Sequence, residues 1–289
     1  MQAKEAPQEF AAYIGRQERR GDRIDRHRLA NLAALFDSDL DAIAPGGALP
    51  ALAHWLHFNV WAKESELGSD GHPKRGGFMP PVTLPRRMFA GGRVSFKGPL
   101  YLDESVERVA TIADIRKKAG SSGELVFVTV KHEILGPRGV AIEEEQDIVY
   151  RDAAPAGGGA KSPPPAKDGG VEIPSGAVVK RIDVDPVMLF RFSAITDNGH
   201  RIHYDYPYVT ETEGYPGLVV HGPLQAMLLA DLVRTDFPAA IKRLSFQARK
   251  PLFDTAPFEC VAWRDGDAVQ LMTREVGGTQ ACMSAKAEL

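Results

Sequence analysis

Two periodicities alternate along this chain. Between Ile24 and Leu40, the apolar side chains of Leu29, Leu32, Leu35 and Phe36 fall on one helical stripe with alanines between them, which predicts an amphipathic helix ending before Pro45-Gly46-Gly47. After a loop rich in glycine and proline the period shortens. Val94 and Phe96, then Val106 to Ile112, Leu125 to Ile134 and Ile142 to Tyr150, are β-branched runs separated by Asp103-Glu104, Lys118 to Gly123 and Gly136 to Gly139, and they predict antiparallel hairpins of one sheet. The same order returns downstream. Leu218 to Val233 predicts a helix starting near Gly222-Pro223, where proline is tolerated, and ending before Pro238. Leu224 to Leu232 is almost wholly apolar or small, so this helix should be buried on most sides. Four strand-like runs follow at Ile241 to Ala248, Pro257 to Trp263, Ala268 to Glu275 and Ala281 to Glu288, with Asp265-Gly266 and Gly277-Gly278 as hairpin turns.

Between the halves lies Ala153 to Gly170, a tract of glycine, proline, alanine and lysine that reads as a mobile linker. The expected organisation is an N-terminal unit at 1–152, a linker at 153–170 and a C-terminal unit at 171–289. The halves also echo each other. Arg93-Val-Ser-Phe96 is followed by Pro99-Leu100 and a turn at Asp103; Arg243-Leu-Ser-Phe246 is followed by Pro251-Leu252 and a turn at Asp254. A helix and a bent antiparallel sheet, occurring twice, predict two α+β units whose sheets each wrap a helix and pair edge to edge.

Composition narrows the class of function. With 289 residues, 35 Lys+Arg against 38 Asp+Glu and a formal charge of -3, the chain lacks the basic excess of a nucleic-acid-coating protein, so no nucleic-acid partner is expected. Cys260 and Cys282 suit buried thiols in a reducing compartment. No stretch approaches the roughly 20 apolar residues of a membrane span, and the opening residues lack a signal-peptide core, so a cytoplasmic protein with no membrane partner is expected.

The chemically dense segment runs from Phe192 to Leu229. It supplies Asp197, Asn198, His200, His203 and Asp205, then delivers His221-Gly222 at the start of the buried helix. A histidine takes and returns protons near neutral pH, an adjacent amide holds a water without changing charge, and backbone donors at a helix start stabilise negative charge on a carbonyl oxygen. Together these suit water chemistry beside an activated carbonyl. Ligand-capable groups at His200, His203, Asp205 and His221 also invite a metal reading, but the spacing is not that of H-E-x-x-H and no cysteine lies nearby.

Asp197-Asn198-Gly199-His200-Arg201-Ile202-His203, with His221-Gly222 downstream, resembles the G-D-x-N-P-I-H and H-G signature of the MaoC-like hydratases of the hot dog superfamily. Aligned on Ile202-His203, the family's catalytic histidine falls on His203, its catalytic aspartate on Asn198 and its asparagine on His200. The aspartate is missing in register, and neighbouring Asp197 is not automatically its replacement. Longer stretches, Ser65 to Leu100 and Glu124 to Ile134 in the first half, with His200 to Val209 and Glu213 to Leu229 in the second, are similar to the branch containing mesaconyl-C4-CoA hydratase, itaconyl-CoA hydratase and the type-2 3-hydroxyacyl-thioester dehydratases.

That resemblance implies a double hot dog, each unit an antiparallel sheet wrapped around a central helix, with the catalytic motif in the C-terminal unit and a substrate-binding role for the N-terminal one. It implies reversible addition of water to an unsaturated acyl-CoA, with mesaconyl-C4-CoA ahead of itaconyl-CoA and citramalyl-CoA as product. His203 would take the proton from water, Asn198 would orient that water, and His200 would position either or assist proton return. Gly222 N–H would face the thioester oxygen. No metal or redox cofactor is implied; coenzyme A enters as part of the substrate. Broader enoyl-CoA or acyl-carrier-protein hydration, thioester hydrolysis and noncatalytic acyl-thioester binding remain as alternatives.

In the N-terminal unit, Arg86, Arg87 and Arg93 are candidates for a substrate carboxylate or cofactor phosphate, and the sequence leaves open which points inward. His221 suits either substrate contact or a hydrogen bond that orders the helix start. Asp70-Gly71-His72-Pro73 reads as a constrained loop first and a binding element second. Trp55 and Trp61 are expected in the core, and a homodimer is possible on these residues.

Overall fold

A computed structural model describes residues 7–39, 44, 46–59, 61–120, 123–152, 170–237 and 239–289. The expected linker at 153–170 lies outside the described residues except for Gly170. In chain order the main elements are β1 (Gln17–Arg23), α1 (Arg26–Leu35), β2 (Arg86–Phe96), β3 (Ser105–Gly120), β4 (Gly123–Gly136), β5 (Gly139–Arg151), β6 (Val178–Ile182), α2 (Pro186–Ile195), α3 (Gly222–Asp236), β7 (Arg243–Ala248), β8 (Phe258–Asp265), β9 (Ala268–Glu275) and β10 (Met283–Glu288). The strands form one antiparallel sheet in the order β1-β3-β4-β5-β2-β7-β10-β9-β8-β6. Each half of that order is the other read outward from the centre, as expected for a double hot dog.

The centre is the β2–β7 seam, and it is built from the sequence repeat. Val94 lies opposite its own counterpart Leu244, Arg93 opposite Ser245 and Ser95 opposite Arg243. Residues related by duplication therefore pair around a local two-fold axis. Val94 and Leu244 are both buried there. The seam runs tight at Gly91, where an added Cβ would sit 2.4 Å from the Phe246 carbonyl oxygen.

α3 is the deepest element. It packs against β8, β9 and β10, and its residues from Leu224 to Val233 are all buried. Of its buried polar residues, Gln225 is satisfied by Thr273, whose Oγ1 donates to Oε1 at 2.7 Å, and Asp231 accepts from Arg234. On the N-terminal half, Val94, Val106, Ile134 and Ile142 of the sheet share a core with Leu29, Leu32 and Leu35 of α1 and with the short turn Ala53–Leu56. Asp25 caps α1 by accepting from His27 N–H, and Asp185 caps α2 by accepting from Met188 N–H, leaving Pro186 in the first turn where its missing donor costs nothing.

One buried charge braces this half. Glu144 of β5 accepts from His54 Nε2, Trp55 Nε1 and Gln146 Nε2, each at 2.8 Å. Burial alone would raise its carboxyl, but His54 and His132 beside it and the hydrogen bonds hold it at about 2. The held Trp55 ring meets Phe89 and Phe246 edge-on. Trp61 differs from its expected place in the core: it is 82% exposed and its Nε1 donates to Asp197 Oδ1. Cys260 and Cys282 are free and buried, and no helix among the described residues is long and apolar enough to cross a membrane.

Because the Phe246 carbonyl belongs to the seam backbone, Gly91→Ala must displace β2 from β7. A loss of about 1–3 kcal/mol in urea unfolding is expected; an unchanged midpoint would show that the seam yields freely.

Candidate active site

The site is assembled where two loops meet. From the N-terminal half comes 68–73, and from the C-terminal half 198–203. Arg201 N–H donates to the Asp70 carbonyl at 2.9 Å, and Arg201 Nη1 donates to the Ser69 carbonyl at 3.0 Å. Arg201 is itself held by Asp205 and lies over the Tyr208 ring. Gly71 has φ +87, and a Cβ there would fall 2.0 Å from the Gly199 carbonyl oxygen, so both its conformation and its clearance require glycine.

This contact lines up four histidines. The His72 ring lies 4.2 Å from that of His200, His200 lies 5.4 Å from His203, and His203 stacks on His221 at 3.6 Å and 17°. Asp70 starts the row, its carboxylate 3.2 Å from His72 Nδ1 and 3.0 Å from the His72 N–H. The loop expected first as a constrained turn therefore supplies two members of the cluster, Asp70 and His72. A histidine between glycine and proline was the available signal.

His203 is oriented by the backbone. Its Nδ1 lies 2.7 Å from the Val219 carbonyl oxygen, an acceptor only, so Nδ1 carries the proton and Nε2 keeps the lone pair. Burial and then the neighbouring His200 push its pKa down to about 3, so the ring is neutral at physiological pH. His200 is pushed to about 3 by burial and then by His72, with Arg87 adding to the effect. Burial, followed by His203, holds His221 well below its ordinary value. For Asp70, burial acts to raise the carboxyl, yet the bonds from His72 outweigh it and keep it strongly acidic.

The remaining candidates separate. Asn198 accepts the His200 N–H at 3.0 Å through Oδ1, closing a turn that presents His200. Asp197 is no substitute for the missing aspartate, because its two oxygens are taken by Arg28 and Trp61. Gly222 opens α3, where first-turn N–H groups have no intrahelical acceptor, and Phe89 lies 3.3 Å from where its Cβ would be. His221 is wholly buried and bonded to Ser193 of α2 at 2.8 Å, the geometry of the expected hydrogen bond at the helix start, and its ring stacks on His203.

Of the three arginines, Arg86 is bound to Glu213 and lies over Tyr215, and Arg93 pairs with Glu145 and Asp147 on an exposed face. Neither is brought to the histidines. Arg87 is, since its charge bears on both His72 and His200. Ligand-capable atoms of Asp70, His72 and His200 lie within 4.8 Å of one another, a geometry open to a cation, but the guanidinium charges of Arg75 and Arg87 acting on His72 oppose one. Asp205, another of the candidate ligands, is occupied by Arg201 and the Tyr208 N–H.

The family model described as hydroxyacyl-thioester dehydratase type 2 matches residues 52–254, a span containing every residue of this cluster. The mesaconyl-C(4)-CoA hydratase of Chloroflexus aurantiacus is 45% identical over 283 residues, covering 97% of this chain and 98% of that protein. A solved MaoC-like dehydratase superposes with a TM-score of 0.70 at 15% identity, covering 97% of this chain and 99% of the other. A Mycobacterium tuberculosis protein described as having a double hot dog fold gives 0.58 at 12% identity, covering 98% and 97%. With the paired half-sheets and the histidine motif in both sequence and space, the chain belongs to the MaoC-like hot dog family, in its hydroxyacyl-thioester dehydratase type 2 branch.

Proposed function

We propose that this chain is a hydratase that adds water reversibly to an unsaturated acyl-CoA, with mesaconyl-C4-CoA as substrate and citramalyl-CoA as product. The observation that carries the chemistry is His203, buried, neutral and fixed by Val219 with its Nε2 lone pair free to take a proton. The relative that is 45% identical over nearly the whole chain supports the choice of acyl group.

In this reading Nε2 of His203 removes a proton from water as the oxygen bonds to the β-carbon. The electron pair of the double bond moves onto the thioester as an enolate, and Gly222 N–H at the positive end of α3 stabilises the oxygen. Collapse of the enolate takes a proton at the α-carbon, returned from the imidazolium or through His200. The low proton affinity of His203 is compensated as negative charge develops next to it. The thioester itself makes the α-carbon able to bear charge, so the scheme needs no metal or redox cofactor. The N-terminal half serves substrate binding, and its loop at 68–73 completes the histidine row.

Incubation with mesaconyl-C4-CoA should give a product heavier by one water without release of free thiol; thiol release would replace hydration by hydrolysis. His203→Ala should lower kcat by at least about 100-fold with its circular dichroism unchanged, and a rate near wild type would remove His203 from the mechanism. The pH profile follows from the depressed histidines. Because His203 stays unprotonated until near pH 3, kcat/KM should be level from pH 8 to pH 5, whereas an acid limb centred near 6.5 would contradict its neutral, buried state. Stability behaves differently: below about 6.5 the unfolded chain takes up protons that the folded histidines refuse, so the urea midpoint should fall from there toward pH 4.

A further inference from the structure

Arg87 is the feature the mechanism above leaves unused. It is half-buried at the start of β2, opposite Tyr150 of β5, and Tyr150 is buried in the apolar cluster on the inner face of the sheet. Residues directly opposite in an antiparallel pair share a face, as do residues two apart on one strand. Arg87 therefore shares the inner face with Phe89, and Phe89 touches the start of α3 at Gly222. Strand register thus puts Arg87 on the face that Phe89 turns toward the start of α3, which His221 precedes, and the Arg87 charge bears on His72 and His200.

Its neighbours leave it without a counter-ion. Glu213 is taken by Arg86, and Asp70 by the ring and N–H of His72. Arg87 has no ion pair or hydrogen bond among the described residues. A guanidinium with no partner at a half-buried position is open to an incoming ligand, and its planar fork is shaped for two oxygens of a carboxylate.

We infer that Arg87 is the anchor for a free carboxylate carried by the substrate on the carbon that receives water. The inference rests on the hydratase reading and specifies its substrate class as a dicarboxylic acyl thioester. In mesaconyl-C4-CoA the free carboxylate is bonded directly to the β-carbon, so its oxygens must lie beside the attacking water and therefore beside the histidines. An anchor at the far end of a long acyl tunnel would not reach it. The phosphates of coenzyme A lie at the other end of the pantetheine arm from the thioester, away from the reacting carbons, and an arginine within the field of His72 and His200 is placed for the acyl end. With its carboxylate on Arg87, the β-carbon is held in one orientation toward His203. A neutral enoyl thioester has no such handle.

The test is a binding measurement that does not depend on turnover. Dissociation constants for two saturated thioesters, the C4 thioester of methylsuccinate and butyryl-CoA, are compared by titration calorimetry in the wild type, Arg87→Met and Arg87→Lys. The wild type should favour the dicarboxylic thioester, and the ratio of the two constants should drop by about 100-fold in Arg87→Met, the scale of a lost charge-assisted pair. Arg87→Lys keeps charge without the fork and should lose part of that preference, so the result stands on either variant. A wild type with no preference, or a preference untouched by both substitutions, overturns the inference. Equal weakening of both ligands also overturns it and moves Arg87 to the coenzyme A phosphates. Failure of the hydration assay with this binding preference intact would refute the hydratase reading alone.

Discussion

The approach of Gly71 to the Gly199 carbonyl is the contact on which the rest of the site depends. There is no room in it for a side chain, and it is closed by two Arg201 hydrogen bonds to the backbone of the opposing loop. Without it the C-terminal half would hold His200, His203 and His221, and the N-terminal half would hold Asp70 and His72, with neither set complete. The β2–β7 seam makes the contact possible by fixing how the halves face each other. Its register is set where the duplicated Val94 and Leu244 meet.

A row of histidines, two buried and two half-buried, flanked by arginines is an unusual electrostatic arrangement. A proton on one ring disfavours a proton on the next, and Arg87 adds to that at both His72 and His200. Asp70 is the one carboxylate within the row. The site is therefore poor in negative charge, which suits a reaction whose substrate and transition state supply it. Electrostatic preorganisation of this kind is arranged before the substrate enters and needs no rearrangement during the reaction.

Much of the frame is legible in the sequence because it rests on period and punctuation. α3 starts at Gly222 as the Gly-Pro pair indicates, and β4, β5 and β7 to β10 match their β-branched runs to within a few residues, whereas β3 runs eight residues past its expected end at Ile112 to Gly120. β1 is not readable this way: Gln17–Arg23 is a charged edge strand with no apolar face, and its partner β3 alone defines it. α2 hides behind β-branched and aromatic residues, although Asp185-Pro186 marks its start. In the site, His203 follows from its motif. The place of His72 in the row does not, because it comes from a contact between loops separated by more than a hundred positions, and local pattern carries no information about that. The three arginines illustrate the same limit, since only strand face and competing carboxylates separate Arg87 from Arg86 and Arg93.

Asn198 gains a physical rationale from the same charge balance. Its Oδ1 closes the turn onto the His200 N–H, and an aspartate would make that bond equally well, so the fold does not require an amide at this position. The difference lies in charge. An aspartate here would put an anion beside His200 and raise the proton affinity of a row that burial keeps neutral. It would also face a substrate carboxylate held by Arg87 on the carbon under attack, and two carboxylates around one reacting carbon repel each other and compete for the same cation. An amide keeps the turn, leaves its NH2 group available to a water and adds no charge. The departure from the family motif at Asn198 and the unpaired guanidinium at Arg87 then become two sides of one adaptation to an acyl group that brings its own carboxylate.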